Sequence, residues 1–169
     1  MTESSVASPA RLVVGIGELA VAGDGSAIVT HALGSCIAVC IWDRSARVGG
    51  MLHFLLPDSR INAERAVRQP GAFADTGIPL LFQTAYRCGL RKAHTEVAIV
   101  GGADFWADLQ DALLDVGRRN ARAARDVLRR NGVRVRREDV GGSHARTVSL
   151  SVSDGRIVVI APGGVGRPL

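Results

Sequence analysis

Two apolar runs separated by a short polar turn constrain the fold of this chain more than any other sequence feature. Residues 37–42 and 48–56 are rich in aliphatic side chains, and residues 43–47 between them have the composition of a turn. This pattern predicts two neighbouring strands. If the strands pair antiparallel, the residue just before the first strand lies near the far end of the second. We therefore expect Cys36 and His53 at the same end of a sheet.

A cysteine beside a histidine is the minimum requirement for catalysis by a thiol nucleophile. A free thiol has a pKa of about 8.5 and is mostly protonated at neutral pH, so we expect His53 to raise the thiolate fraction of Cys36. Gly34 and Ser35 precede the cysteine, and a Gly-Ser corner can aim backbone N–H groups at a developing oxyanion. The alternative is an inert, buried cysteine, which is the commoner state of this residue type.

The two other cysteines are expected to be inert members of the core. Cys40 lies in the middle of the first predicted strand, and Cys88 ends a predicted helix just before Gly89. The sequence contains no Cys-x-x-Cys pair, so it favours neither a disulfide framework nor a structural zinc site. We expect reduced thiols and no metal.

The composition is typical of one compact domain. The chain has 169 residues, of which 47% are hydrophobic, and this is enough for one substantial core. Residues 1–9 are small and polar, which predicts a flexible N-terminal tail ahead of a domain at residues 10–169. The tail lacks the basic start and apolar centre of a signal peptide, and no apolar stretch approaches the roughly 20 residues of a membrane span. We therefore expect a cytoplasmic protein without membrane insertion.

The order of the predicted elements indicates the α+β class. Some strands follow one another directly while others are separated by helices, which favours a mixed sheet over a doubly wound parallel one. Asp154 and Gly155 lie between two β-like runs and predict a hairpin. Besides the two runs already described, strands are predicted at 12–14, 27–30, 96–100, 133–140, 147–152 and 156–160, and helices at 76–88, 109–114 and 120–130.

Five sequence blocks between residues 13 and 160 follow one another in the order of a known family. They are "VTHALGSCIAVCIWDRSARVGGMLHFLLPDS", "GAFADTGIPLL", "VAIVGGADF", "VGRRNARAARDVL" and "EDVGGSHARTV". Their features are a Gly-Ser-Cys corner with a following histidine, an Ala-Asp-Thr helix entry, a strand ending in Gly-Gly-Ala, a Gly-x-x-Asn helix start and an Asp-x-Gly-Gly turn. In these features the chain resembles the CheD family, the chemoreceptor glutamine deamidases of bacterial and archaeal chemotaxis.

The resemblance implies a single-domain layered α/β/β sandwich with amidohydrolase activity. Cys36 matches the family's nucleophile, His53 its catalytic histidine and Thr30 the third residue associated with that pair. The implied reaction converts receptor glutamine side chains to glutamate, releasing ammonia through a thioester intermediate. The implied partners are the cytoplasmic helical domain of a chemoreceptor, as substrate, and a CheC-type chemotaxis phosphatase.

No cofactor is expected. Gly15 and Gly17 invite a nucleotide-binding interpretation, but a dinucleotide fingerprint needs a third glycine at the right spacing and a helix directly after it. Residues 18–25 instead run into another turn-rich stretch. The sequence therefore gives no basis for a nucleotide site.

Three other functions stay open at this point. The same thiolate could hydrolyse receptor methyl esters, and a noncatalytic member could act only by binding the phosphatase. A basic nucleic-acid-binding module is the remote alternative, because the formal net charge is +5 and arginines crowd residues 118–137. Against it, Lys92 is the only lysine, acidic residues interrupt the patch and no DNA-binding motif is present. We expect no nucleic-acid partner.

Overall fold

The computed structural model describes residues 10–105 and 115–169. Within these ranges ten strands and three α-helices form an α+β fold, as predicted. The predicted tail at 1–9 and the predicted helical piece at 109–114 lie outside the described residues. The strands are β1 (Ala10–Val13), β2 (Leu19–Ala22), β3 (Ser26–Leu33), β4 (Ile37–Asp43), β5 (Val48–Phe54), β6 (Thr95–Gly101), β7 (Arg137–Val140), β8 (Arg146–Ser151), β9 (Ile157–Ile160) and β10 (Arg167–Pro168). The helices are α1 (Ala63–Arg68), α2 (Ala74–Arg87) and α3 (Val116–Arg130).

The strands form two mixed sheets, which confirms the predicted mixed arrangement. The first sheet has the order β1-β3-β8-β9-β10, and the second has the order β2-β5-β4-β6-β7. The pairs β1–β3 and β6–β7 are parallel, and the other pairs are antiparallel. Strands β4 and β5 are joined by a tight turn in which the Asp43 carboxylate accepts hydrogen bonds from the backbone N–H groups of Ser45 (2.8 Å) and Ala46 (3.0 Å).

The second sheet lies between the helices and the first sheet. Alternate residues of β4 contact different layers, because successive side chains of a strand point to opposite faces. Ile37, Val39 and Ile41 belong to the core that contains α2 and α3. Ala38 and Cys40 belong to the core shared with the first sheet. The predicted α/β/β layering is therefore confirmed, and it explains why β4 is buried along its whole length.

The chain crosses from the first sheet to the second between β3 and β4. A bulge interrupts the β3–β8 register between Thr30 and Leu33, and Ala32 within it has a φ of 54°. A non-glycine residue in this left-handed region is uncommon and costs roughly 1 kcal/mol. Bulges bend a strand and change the direction of the chain that follows. This bend leads the chain into the crossing at residues 34–36, which contains the predicted nucleophile.

Several elements differ from the prediction because their sequence signals are weak. Strand β2 and the short helix α1 were not predicted: β2 is a four-residue strand among glycine-rich turns, and α1 has only six residues. The two-residue strand β10 was also missed. Strand β7 covers only the second half of the predicted strand at 133–140. Helix α3 begins at Val116 rather than at 120.

The predicted turn at Asp154 and Gly155 does connect an antiparallel pair, β8 and β9. Gly155 has a φ of 70°, a conformation that glycine adopts without a steric penalty. A Cβ atom at this position would lie 2.3 Å from the ring of Trp42. The indole of Trp42 in turn donates a hydrogen bond to the Val152 carbonyl (2.8 Å). The glycine therefore lets the hairpin pack directly against β4.

We expect Gly155→Ala to lower the free energy of unfolding by about 3 kcal/mol, combining left-handed strain with overpacking against Trp42. Urea unfolding followed by tryptophan fluorescence measures this change. Gly163→Ala is the matched control, since Gly163 has a φ of 67° and open space around it, and it should cost only about 1 kcal/mol. Equal losses in the two variants would show that the contact with Trp42 does not matter.

Candidate active site

The β4–β5 register brings the predicted catalytic pair to one face of the second sheet. Ala38 lies directly opposite His53, so the two side chains share a face. Cys36 immediately precedes β4 and belongs to the same core cluster as Ala38. Both catalytic candidates are enclosed: Cys36 is 6% exposed and His53 is 2% exposed. The expected proximity at one sheet end follows from the observed pairing.

A buried chain of hydrogen bonds fixes the tautomer of His53. The Thr30 hydroxyl lies 2.7 Å from the Val14 carbonyl oxygen and 2.8 Å from His53 Nδ1. A carbonyl only accepts and a hydroxyl has one hydrogen, so Thr30 donates to Val14. Thr30 must then accept from the Nδ1–H of His53. The proton of the neutral ring therefore resides on Nδ1, and Nε2 carries the lone pair.

Burial favours the neutral forms of both candidate residues. It lowers the pKa of His53 to about 4, although the Val14 carbonyl opposes the shift. It raises the pKa of the Cys36 thiol, against the opposing effect of the residue's own backbone N–H. Burial therefore opposes the expected increase in the resting thiolate fraction of Cys36, because it disfavours the charged form of the thiol and of the ring. His53 Nε2 has no hydrogen-bond partner within the described residues, which leaves it open to accept a proton.

The turn that contains Gly15 and Gly17 holds the main chain of His53. Gly17 N–H donates to the His53 carbonyl (2.7 Å), and His53 N–H donates to the Glu18 carbonyl (3.0 Å). Gly17 has a φ of 78°, which explains why a glycine is needed at this position. This turn also supplies the Val14 carbonyl at the end of the hydrogen-bond chain. The glycines therefore support the imidazole.

Gly34 and Ser35 form a closely packed corner before the cysteine. A Cβ atom on Gly34 would lie 2.9 Å from the Phe105 ring. The Gly34 carbonyl accepts from Ala103 N–H, and the Cys36 carbonyl accepts from Gly102 N–H, both at 2.8 Å. The corner is thus anchored on the chain that follows β6, and a side chain at position 34 would require the Phe105 ring to move.

Asn120 on α3 is a site residue to which the sequence assigned no role. It is fully buried, and its side-chain nitrogen donates to the carbonyls of Ser35 (2.9 Å) and Leu55 (2.8 Å). These carbonyls flank the candidate pair, one residue before Cys36 and two after His53. The only sequence signal was the Gly-x-x-Asn helix start.

Gly117 allows α3 to approach closely enough for this contact. A Cβ atom at Gly117 would lie 2.3 Å from the Ala103 carbonyl oxygen and 2.6 Å from that of Gly102. The first turn of the helix therefore packs directly on the backbone that anchors the Cys36 corner. The Gly-x-x-Asn pattern has a physical basis: the glycine permits contact and the asparagine one turn later uses it.

Comparison with known proteins identifies the family. The family model described as "CheD chemotactic sensory transduction" matches residues 55–161. A probable chemoreceptor glutamine deamidase CheD 2 of Anaeromyxobacter dehalogenans is 53% identical over 149 residues, covering 88% of this chain and 92% of that protein. This chain belongs to the CheD family. Because that alignment leaves out at most about 20 residues of this chain, it includes Cys36 and His53, which both precede the family-model match.

Other CheD relatives also align with most of this chain. A probable chemoreceptor glutamine deamidase CheD 1 of Syntrophus aciditrophicus is 41% identical over 159 residues, covering 94% of this chain and 98% of that protein. A probable chemoreceptor glutamine deamidase CheD of Thermococcus kodakarensis is 38% identical over 144 residues, with 85% and 88% coverage. The similarity to CheD proteins therefore extends along most of the chain.

The remaining cysteines of this CheD chain have different environments. Cys40 is buried, and burial raises the pKa of its thiol to about 12, which fits an inert core residue. Cys88 is exposed at the end of α2, so the prediction that it belongs to the core is wrong. The helix ends before this side chain can pack into the core. Cys88 offers an exposed thiol against which the enclosed Cys36 can be compared.

The described part of this CheD chain contains no helix with both the length and the apolar character needed to cross a bilayer.

The arginines of α3 are partly neutralised by nearby acids. Arg125 pairs with Glu138 (3.0 Å), and Arg129 and Arg122 approach Asp126 (2.8 and 3.8 Å). Such exposed pairs contribute little to stability, but they reduce the free positive charge of this face.

We expect nitrogen chemical shifts of His53 to show a proton on Nδ1 and none on Nε2 at pH 7. Burial should keep the ring neutral until the pH approaches about 4. In the unfolded chain this pKa lies near 6.5, so the contribution of neutral His53 to stability is complete above pH 6.5 and is lost as the pH falls towards 4. Long-range ¹⁵N–¹H spectra recorded over this pH range test the position of the proton and the pKa of the ring.

Thr30→Val removes the acceptor of the Nδ1–H and should change the tautomer populations. Thr30→Ser keeps the hydroxyl and serves as the matched control. If the spectrum of Thr30→Val shows only the Nδ1–H form, the hydrogen-bond chain does not determine the tautomer of His53.

Proposed function

We propose that this chain is a chemoreceptor glutamine deamidase with Cys36 as nucleophile, His53 as general base and acid, and Thr30 as the residue that orients the imidazole. The relatives named above carry this activity in their names. The observation that carries the assignment of roles is the buried chain from Val14 through Thr30 to His53. It leaves Nε2 as a proton acceptor on the sheet face shared with Cys36.

In the first half-reaction the neutral pair is activated only when substrate arrives. The Cys36 side chain brings its S–H to His53 Nε2, which accepts the proton as the sulfur attacks the carboxamide carbon of a receptor glutamine. The tetrahedral intermediate collapses when the imidazolium donates that proton to the departing nitrogen. The C–N bond breaks, ammonia leaves and a thioester links the receptor side chain to Cys36.

In the second half-reaction water replaces ammonia. Nε2 accepts a proton from water as the water oxygen attacks the thioester carbon. The C–S bond then breaks, and the imidazolium returns a proton to the sulfur. The products are a receptor glutamate and the free thiol. Throughout, Thr30 accepts from Nδ1–H and so keeps Nε2 directed to the reaction, as a carboxylate does in other triads.

Gly34 and Ser35 have a supporting role in this proposal. The backbone N–H of Cys36 belongs to the residue whose sulfur attacks, so it is a candidate donor to the oxyanion that forms on the carbon bonded to that sulfur. Gly34 lets the corner pack against Phe105, and the Ser35 carbonyl is bound by Asn120. The two residues act through the backbone conformation that they give to Cys36.

Hydrolysis of a receptor methyl ester is the closest alternative, because the same sulfur can attack an ester carbonyl and release methanol. A basic nucleic-acid module is the more distant one, and the ion pairs on α3 reduce its electrostatic basis. Both alternatives become outcomes of the experiment below.

We expect the purified protein to convert glutamine to glutamate in a receptor cytoplasmic fragment, as followed by peptide mass spectrometry and ammonia release. Cys36→Ala and His53→Ala should each lower the rate at least 1000-fold, because they remove the nucleophile or its base, as in other hydrolases of this type. Cys88→Ala is the matched control: it removes an exposed thiol and should retain the full rate.

A Cys36→Ala variant as active as the unmodified protein would overturn the assignment of the nucleophile. A fragment carrying glutamate methyl esters, tested in parallel, distinguishes the esterase. If neither fragment reacts and the protein binds nucleic acid with a strong dependence on salt, the module alternative is correct.

Binding to a CheC-type phosphatase, and with it a location in the cytoplasm beside the receptor's helical domain, forms the second part of the proposal. We expect Cys36→Ala to retain this binding, because docking does not need the thiol. A pull-down with purified CheC-type protein checks this, with the unmodified chain as the reference. Failure of both proteins to bind would remove the phosphatase from the proposal without affecting the deamidase assay.

A further inference from the structure

We propose that Asn120 is a positioning residue that holds the Ser35–Cys36 peptide with its N–H directed to the side of the sheet on which the Cys36 thiol reacts. This inference rests on the proposed deamidase function. It assigns to helix α3, which contributes no reacting group, the task of arranging the oxyanion donor.

The contacts of Asn120 join the two strand ends that carry the candidate pair. Its side-chain nitrogen has two hydrogens, and both are used on main-chain carbonyls, at Ser35 and Leu55. Carbonyls only accept, so the hydrogen bonds fix which end of the carboxamide carries the nitrogen. Neither hydrogen bond involves the side chain of Ser35 or Leu55, so both depend only on the positions of the backbone carbonyls.

Peptide geometry transmits this contact to the reacting face. In a trans peptide the C=O of one residue and the N–H of the next point in opposite directions. Asn120 lies on α3, which packs on the helix side of the second sheet, and there it binds the Ser35 carbonyl. The N–H of Cys36 consequently points to the other side. That side contains the Cys36 thiol and the imidazole that binds Thr30.

The unsatisfied oxygen of Asn120 indicates that stability alone does not explain the residue. Asn120 Oδ1 is buried and lacks a hydrogen-bond partner within the described part of the chain. A buried acceptor without a hydrogen-bond partner destabilises the folded state. Replacing Asn120 also leaves the Ser35 and Leu55 carbonyls without these donors, so the Tm must be measured beside kcat to separate a loss of positioning from a loss of stability.

The positioning role makes a specific kinetic prediction. Loss of one oxyanion donor lowers kcat by about 100-fold to 1000-fold in other hydrolases. A donor that is still present but no longer held should cost less, and we expect kcat to fall about 10-fold to 100-fold with KM changed less than about twofold. Alkylation of Cys36 by iodoacetamide forms no oxyanion, so its rate should stay within about twofold.

The experiment compares Asn120→Ala and Asn120→Asp with Asn131→Ala, all in a Cys88→Ala background so that alkylation reports on Cys36. Asn120→Asp keeps the volume of the side chain but lacks both N–H donors. Asn131 is a matched control because it bonds a backbone carbonyl, that of Val127, at the opposite end of α3. For each protein we would measure kcat and KM on the receptor fragment, the alkylation rate of Cys36 and the Tm.

The inference is supported if both Asn120 variants lose kcat as stated while alkylation and KM stay near the reference and Asn131→Ala is unaffected. It is overturned if kcat stays within twofold, or if alkylation falls as far as kcat. It is also overturned if neither variant folds, since Asn120 would then be a structural residue. Failure of the proposed function looks different: the background protein itself would lack Cys36-dependent deamidation.

Discussion

Seven residue pairs join β4 and β5, from Ile37 opposite Phe54 to Asp43 opposite Val48, and the geometry of the site depends on this register. A slip of one residue would turn His53 from the first sheet to the helices, since neighbouring strand residues face opposite ways. Both strands are buried along their whole length. Layers on both sides therefore oppose such a slip, because it would expose the wrong side chains to each core.

The apolar surroundings of the pair determine how it can react. A thiolate–imidazolium pair would need two charges in a space where burial disfavours both. Burial favours a neutral thiol and a neutral ring, and Thr30 and Val14 set the tautomer of that ring. Charge then develops only during attack, when the substrate carbonyl supplies an acceptor for the negative charge.

The sequence predicted the parts of the fold whose signals are local. The runs around β4 and β5 and their polar turn predicted the pairing, and so the approach of Cys36 to His53. Contacts distant in sequence were less accessible. Asn120 meets Ser35 across 85 positions, and nothing local to either residue indicates the other. Strand β2 was missed because four residues between glycine-rich turns have no clear periodicity; it is recognisable only by its partner β5.

Burial also could not be predicted from residue type alone. Cysteine is commonly buried, yet Cys88 is exposed because it lies where α2 ends. Cys36 is buried as well, although its Gly-Ser corner led to its prediction as a nucleophile rather than as an inert buried cysteine. Burial favours the neutral forms of Cys36 and His53, and no charged neighbour among the described residues contributes to the pKa of either residue. Whether such a neighbour is present depends on the tertiary structure, which residue type does not reveal.

Thr30 belongs to the first sheet and His53 to the second, so the hydrogen bond between them spans the seam of the sandwich. The imidazole stays aligned only while the two layers remain seated on each other. A separation of about 1 Å would stretch this bond beyond its working length while leaving each sheet's own ladder intact. Separation of the two sheets would thus abolish catalytic activity before any secondary structure is lost.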